Sequence, residues 1–153
     1  MKTLVVYYSR TGITKKVAGI IAKDMKADIQ EVHDLRNRKG IIGYILGGRD
    51  AVLKRLTPIK VDKKLPQKYG LVVIGTPIWA GMSPAIRTYI IGNKGTFKNV
   101  AFFCTMGGSG DKKAFKGMAE LIGRRPLATL TLNAKDMKGD YHKKVADFVK
   151  RLK

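Results

Sequence analysis

At 153 residues the chain has room for one domain with a sizeable core and too little for two ordinary ones. No apolar run is long enough to span a bilayer, one cysteine allows no internal disulfide framework, and the N-terminus reads as a short strand, not a signal peptide. Those features predict a single domain, 1–153, in the cytoplasm; the 31 Lys and Arg against 11 Asp and Glu, a formal +20, are the anomaly.

Strand and helix patterns alternate along the chain. Residues 3–8 (TLVVYY) form a nearly continuous apolar, β-prone run, the mark of a strand buried on both faces. Ile13, Val17, Ile20, Ile21 and Met25 then recur at helical spacing. A weak strand is expected at 28–33, and a helix at 41–55 despite Gly43, Gly47 and Gly48. Residues 69–75 (YGLVVIG) predict a strong strand. Ser83 and Pro84 then offer a capping hydroxyl and a first-turn proline for a helix burying Ile86, Ile90 and Ile91. Residues 100–105 (VAFFCT) read as another buried strand, and Asp111 as the cap of a helix that buries Phe115, Met118 and Ile122. A last strand is expected at 126–132, before a closing helix lined by Tyr141, Val145, Phe148, Val149 and Leu152.

Five strands alternating with five helices predict an α/β fold, a parallel sheet covered on both faces. Ligands of such sheets bind outside the carboxyl ends of the strands. Three loops at those ends have unusual composition: SRTGIT, TPIWAG and MGGSGD. In the first, Gly12 lets the backbone turn closely, Ser9, Thr11 and Thr14 offer hydroxyls, and helix N–H groups complete a cradle for phosphate. An ordinary strand-to-helix turn with a threonine cap has the same composition. The second carries the only tryptophan, Trp79, a flat surface on which a planar ring could stack, or a packing residue. The third offers Gly107, Gly108 and Gly110, where backbone N–H groups can approach a ring. Together they describe a ligand with a phosphate at one end and an aromatic ring at the other.

The chain resembles the short-chain flavodoxins over essentially its whole length. SRTGIT is similar to the family's Ser/Thr-x-Thr-Gly-x-Thr loop, which implies that Ser9, Arg10, Thr11, Gly12, Ile13 and Thr14 hold the phosphate of flavin mononucleotide (FMN). TPIWAG resembles the first ring-flanking loop, giving Thr76, Pro77, Ile78, Trp79, Ala80 and Gly81, with Trp79 in the stacking position. CTMGGSGD resembles the second, giving Thr105, Met106, Gly107, Gly108, Gly110 and Asp111. In the family the peptide after the stacking aromatic can turn toward the flavin. Here that is the Ala80–Gly81 bond, with Gly81 free to take a positive φ. The resemblance implies a flavodoxin-like doubly wound sheet of five parallel strands in the order 2-1-3-4-5, with helices on both faces.

It also implies a flavodoxin-type carrier passing single electrons between redox partners, the flavin supplying the redox chemistry. Two other functions fit the sequence: an FMN-dependent NAD(P)H:quinone-type reductase, and a basic protein of this fold that binds nucleic acid. The chain departs from the family in two ways. It is basic where familiar flavodoxins are acidic, which points to acidic redox partners, ferredoxin-like or an oxidoreductase. The charge suggests an acidic partner, nucleic acid or an anionic surface. The basic residues form no dense tract of the kind that marks a nucleic-acid tail, so nucleic acid is not expected. With no apolar run long enough to span a bilayer, no membrane partner is expected either. No tyrosine or tryptophan falls in 106–110, which leaves one ring face open or covered by Met106 or a partner. Arg10 either adds a contact to the phosphate or faces solvent. Cys104 reads as a small core residue, and His33 and His142 belong to no metal-ligand spacing, so no catalytic side chain or metal is expected. Residues 40–56, with their glycines and Tyr44, suggest a substrate pocket or a dimer contact.

Overall fold

The computed structural model describes residues 1–153. Five strands form one parallel sheet in the order β2-β1-β5-β6-β7: β1 (Thr3–Tyr7), β2 (Asp28–Glu31), β5 (Leu71–Pro77), β6 (Val100–Met106) and β7 (Thr129–Asn133). The expected order 2-1-3-4-5 holds. A small antiparallel pair, β3 (His33–Asp34) with β4 (Ile59–Lys60), lies outside that sheet and has no clear signal in the sequence.

The sheet has a core on each face because successive strand residues point to opposite sides. Leu4, Val6, Val72, Ile74, Phe102 and Cys104 face one way, beneath α3 (Pro84–Gly92) and α4 (Asp111–Ile122). Val5, Tyr7, Leu71, Val73, Ala101 and Phe103 face the other, beneath α1 (Ile13–Met25) and α6 (Tyr141–Leu152). Helix α2 (Gly40–Val52) sits on the first side, and Ala51 is its one contribution to that core. All five residues expected to line α6 are buried.

Several local expectations are corrected. Ile91 is 41% exposed, and Tyr89 takes its place on the buried face of α3. Ile86, Tyr89 and Ile90 stand at i, i+3 and i+4 and share one stripe of the helix, which Ile91 at i+5 overshoots. Gly110, not Asp111, caps α4, because the strand-to-helix turn needs φ +110°, a backbone open to glycine. Asp111 is the first helical residue, and its carboxylate accepts a hydrogen bond from Thr131 Oγ1 at 2.9 Å. The strand expected at 28–33 stops pairing with β1 at Glu31, after which His33 and Asp34 turn to meet β4. The last strand starts at Thr129, three residues later than expected; Pro126 has no N–H to give a ladder, though Leu127 and Ala128 already bond to Val100 and Phe102 of β6. A five-residue helix, α5 (Ala134–Lys138), follows it through a reciprocal cap between Asn133 and Asp136.

Candidate functional site

The carboxyl ends of β1, β5 and β6 open into a cleft of about 450 Å³. Of the residues expected there, Arg10, Thr11, Ile13, Thr14, Pro77, Ile78, Trp79, Thr105, Met106 and Gly107 line it. Tyr44, Leu132, Ala134, Met137 and Lys138 complete the wall. Of these five, only Tyr44 stood out in the sequence, and Met137 and Lys138 arrive on the unforeseen α5.

Gly12, at φ +98°, forms the N-cap of α1 and donates its N–H to Ser9 Oγ at 3.0 Å, which closes the first loop on itself. The first-turn N–H groups of α1 have no acceptor within the helix and carry its positive dipole end. The threonine cap is absent. Thr14 is buried instead, with its hydroxyl 2.8 Å from that of Thr105, tying the first loop to the third. Arg10 turns onto Tyr44, its guanidinium 5.2 Å from the ring centre. This cation–π contact places a positive charge at the loop beneath α2. Arg10 and Lys138 are the charged residues of the cleft wall, and no carboxylate lines it. The site therefore favours an anion at one end.

Pro77, Ile78, Trp79, Met106 and Met137 make the remainder apolar. Trp79 lines the cleft, yet only 6% of it is exposed. Its ring meets the edge of Tyr8 at 5.5 Å between centroids and lies against Gly47, where an added Cβ would fall 2.7 Å from Cε3. On its far side a second, apolar groove of about 380 Å³ runs along α2, lined by Tyr44, Ile45, Val52, Leu53 and Ala80 among others. Met106 and Met137 supply polarisable thioethers where the third loop lacks an aromatic.

The other expected site residues lie off the cleft wall. Thr76 is buried and accepts the Ser83 N–H at 3.0 Å, holding the start of α3. Ala80 and Gly81 border neighbouring grooves, Gly108 is exposed, and Gly110 and Asp111 serve the start of α4. In this structure the residue of that turn with a positive φ is Ala80, at +62°. An antiparallel bridge between Ile78 and Met82 closes residues 79–81 into a tight turn, and its central residue, Ala80, takes the left-handed backbone. Its exposed methyl group is small enough to tolerate that strain.

Helix α2 is held over the first loop by buried charge. Arg38 donates to Asp50 at 2.7 Å and to Asp34 at 3.0 Å, and Asp34 also accepts from Thr57 Oγ1 at 2.7 Å. Burial works against the Arg38 charge, but the hydrogen bonds to Asp50 and Asp34 outweigh it and hold its pKa above the usual value. Cys104, by contrast, is inert: burial pushes its thiol up to about 12. The thiolate is thus scarce at pH 8. The folded protein is therefore expected to resist iodoacetamide at pH 8, with one adduct per chain by intact mass only after unfolding.

Neither a protein-family model nor a curated protein matches the chain. Solved structures do. A Bacteroides uniformis chain described as a flavoprotein is 23% identical, with a TM-score of 0.80 over 97% of each chain. A flavoprotein from Lactobacillus acidophilus in complex with FMN is 24% identical, with a TM-score of 0.71 over 90% of this chain and 96% of that one. Two-electron reduced Megasphaera elsdenii flavodoxin is 18% identical, with a TM-score of 0.58 over 96% and 97%. The protein has the flavodoxin-like fold, and the resemblance read from its three loops is borne out at that level.

Proposed function

We propose that the chain binds FMN in the 450 Å³ cleft and acts as a flavodoxin-type electron carrier. One observation carries this reading. The three loops converge on a single cleft that has a helix N-terminus and Arg10 at one end and Trp79 and Met106 at the other. The donor set fits a phosphate: Thr11 Oγ1, the α1 N–H groups and a guanidinium, with no carboxylate to repel it. The volume falls within the ordinary range for a small-molecule site. The bound FMN of the Lactobacillus acidophilus neighbour supports the same assignment. The flavin supplies the redox chemistry; the protein's part is to anchor the phosphate, shield the ring edge and set the surrounding charge. Acidic redox proteins suit the +20 surface as partners, with association slowed by salt.

Titration of flavin-free protein with FMN, FAD and riboflavin tests the reading. Thr11→Ala is expected to weaken FMN by about 1.5–3 kcal/mol, the range for hydrogen bonds to charged groups, and to leave riboflavin nearly unchanged. Equal losses for both ligands would place the phosphate elsewhere. Thr14→Ala is expected to weaken both, because it also breaks the bridge to Thr105.

The apolar groove beside Trp79 favours a second reading, an FMN-dependent reductase of quinones with a nicotinamide donor. Steady-state oxidation of NADH and NADPH with quinone, set against single-electron exchange with acidic ferredoxins, separates the two.

A further inference from the structure

Helix α2 is inside out. A surface helix ordinarily turns its large apolar residues inward. Here the buried positions are Gly43, Gly47, Asp50 and Ala51, while Ile41, Ile42, Ile45 and Val52 are 80%, 75%, 61% and 61% exposed. The glycines explain the inward face. An added Cβ at Gly43 would fall 2.2 Å from the Arg38 carbonyl carbon, and one at Gly47 would strike the Trp79 ring. The helix thus docks through close backbone approach and the Arg38–Asp50 pair, and its isoleucines have no role in that docking.

Nine of the chain's fifteen exposed large apolar residues fall within residues 35–56, a concentration that marks an interaction surface. The same stretch carries six basic residues and one acid, and that acid, Asp50, is buried against Arg38. Arg36, Arg49 and Arg55 are half exposed, and Lys39 and Lys54 are exposed. Arg36, Arg49 and Arg55 share the one carboxylate of Asp50 with Arg38, so the stretch joins exposed apolar side chains to a cationic excess.

We propose that α2 seats the protein on an anionic lipid bilayer surface. Its isoleucines would enter the headgroup–acyl boundary while the neighbouring Lys and Arg side chains reach lipid phosphates. No helix is long and apolar enough to cross a membrane, so this is contact from one side. A second copy of the chain fits less well, because it would bring one +20 surface and its cationic excess against another. The proposal gives the net charge a use that the cleft does not, and it replaces the sequence expectation of no membrane partner. It stands apart from the flavin reading, since its test measures lipid binding alone.

Co-sedimentation of the full chain with phosphatidylcholine vesicles, with and without phosphatidylglycerol, tests it. Wild type is expected to bind the anionic vesicles, and less so as salt rises. Ile41→Ser with Ile45→Ser, both solvent-facing and charge-neutral changes, is expected to lose about tenfold or more in partitioning. Ile91→Ser with Leu127→Ser, exposed apolar positions on other elements, is expected to match wild type. Lys39→Gln with Lys54→Gln is expected to lose about fivefold per charge at low salt. Far-UV circular dichroism checks that each variant is folded. No binding to anionic vesicles at low salt overturns the proposal, as do equal losses for the two serine pairs. Sedimentation equilibrium showing a dimer that the α2 pair dissociates overturns it in favour of a second copy. Salt-stable binding of an acidic protein that displaces the vesicles overturns it in favour of that partner.

Discussion

Asp50→Ala is expected to remove about 3 kcal/mol of the free energy that docks α2, the low end of the cost of breaking a buried pair, because one of two carboxylates is taken from a buried guanidinium. Arg38 and Asp50 are both buried, and the 2.7 Å bond between them is charge-assisted. After the substitution Arg38 keeps only Asp34, and α2 has little else to hold it, since its inward face is glycine and alanine. The loss is therefore local. Amide hydrogen exchange should show protection falling across residues 40–52 while β1, β5 and β6 keep theirs. Tyr44 leaves the cleft wall with the helix, and Arg10 loses the ring it covers. Removing Arg49 or Arg55 instead should cost less than about 1 kcal/mol, because both are half exposed and lie 3.8 Å from Asp50 Oδ1. Arg38→Met together with Asp50→Ala should not restore the protection, since Asp34, a buried carboxylate, then loses its cation. If β1 and β5 amides lose protection in step with α2, the helix is not a separate unit and the account fails.

The sheet was legible because its central strands are continuous apolar runs, and YGLVVIG and VAFFCT leave little alternative to burial on both faces. The first loop stood out for a different reason: its hydroxyls and glycine lie next to one another, so no tertiary knowledge is needed. What the sequence hid depends on partners distant along the chain. Thr14 reads as a cap or a ligand until Thr105, 91 residues on, meets its hydroxyl. Gly43 and Gly47 read as weaknesses in a helix until the Arg38 backbone and the Trp79 ring occupy the space of their missing side chains. Asp111 reads as the cap of α4, and Gly110 takes that place because of a left-handed backbone that composition does not reveal. Helix α5 is too short for any period and rests on the Asn133–Asp136 cap, so its share of the cleft could not be foreseen.

Gly75→Ala should instead destabilise the whole protein. Gly75 pairs with Phe103 across β5 and β6, and the Phe103 ring covers the place a side chain would take. An added Cβ would fall 2.0 Å from Cζ of that ring and 2.3 Å from Cε1. Phe103 is fully buried among Val5, Tyr7, Leu130 and Phe148, so its ring has no open rotamer to move into. Ordinary overpacking costs about 1–3 kcal/mol, and a clash against a confined ring should reach the upper end or pass it. For a chain of this size that is a fall in Tm of about 6–12 °C. The strand also leads directly into Thr76 and Pro77, so the same shift reaches the second loop and should weaken FMN binding as well. Phe103→Leu in the Gly75→Ala background frees space at the point of conflict, and the double variant should be more stable than Gly75→Ala alone. Thermal melts of the four proteins check this. Additive losses would mean that the strain is relieved by strand movement and not held in the ring, and the pairing of Gly75 with Phe103 would then explain nothing about stability.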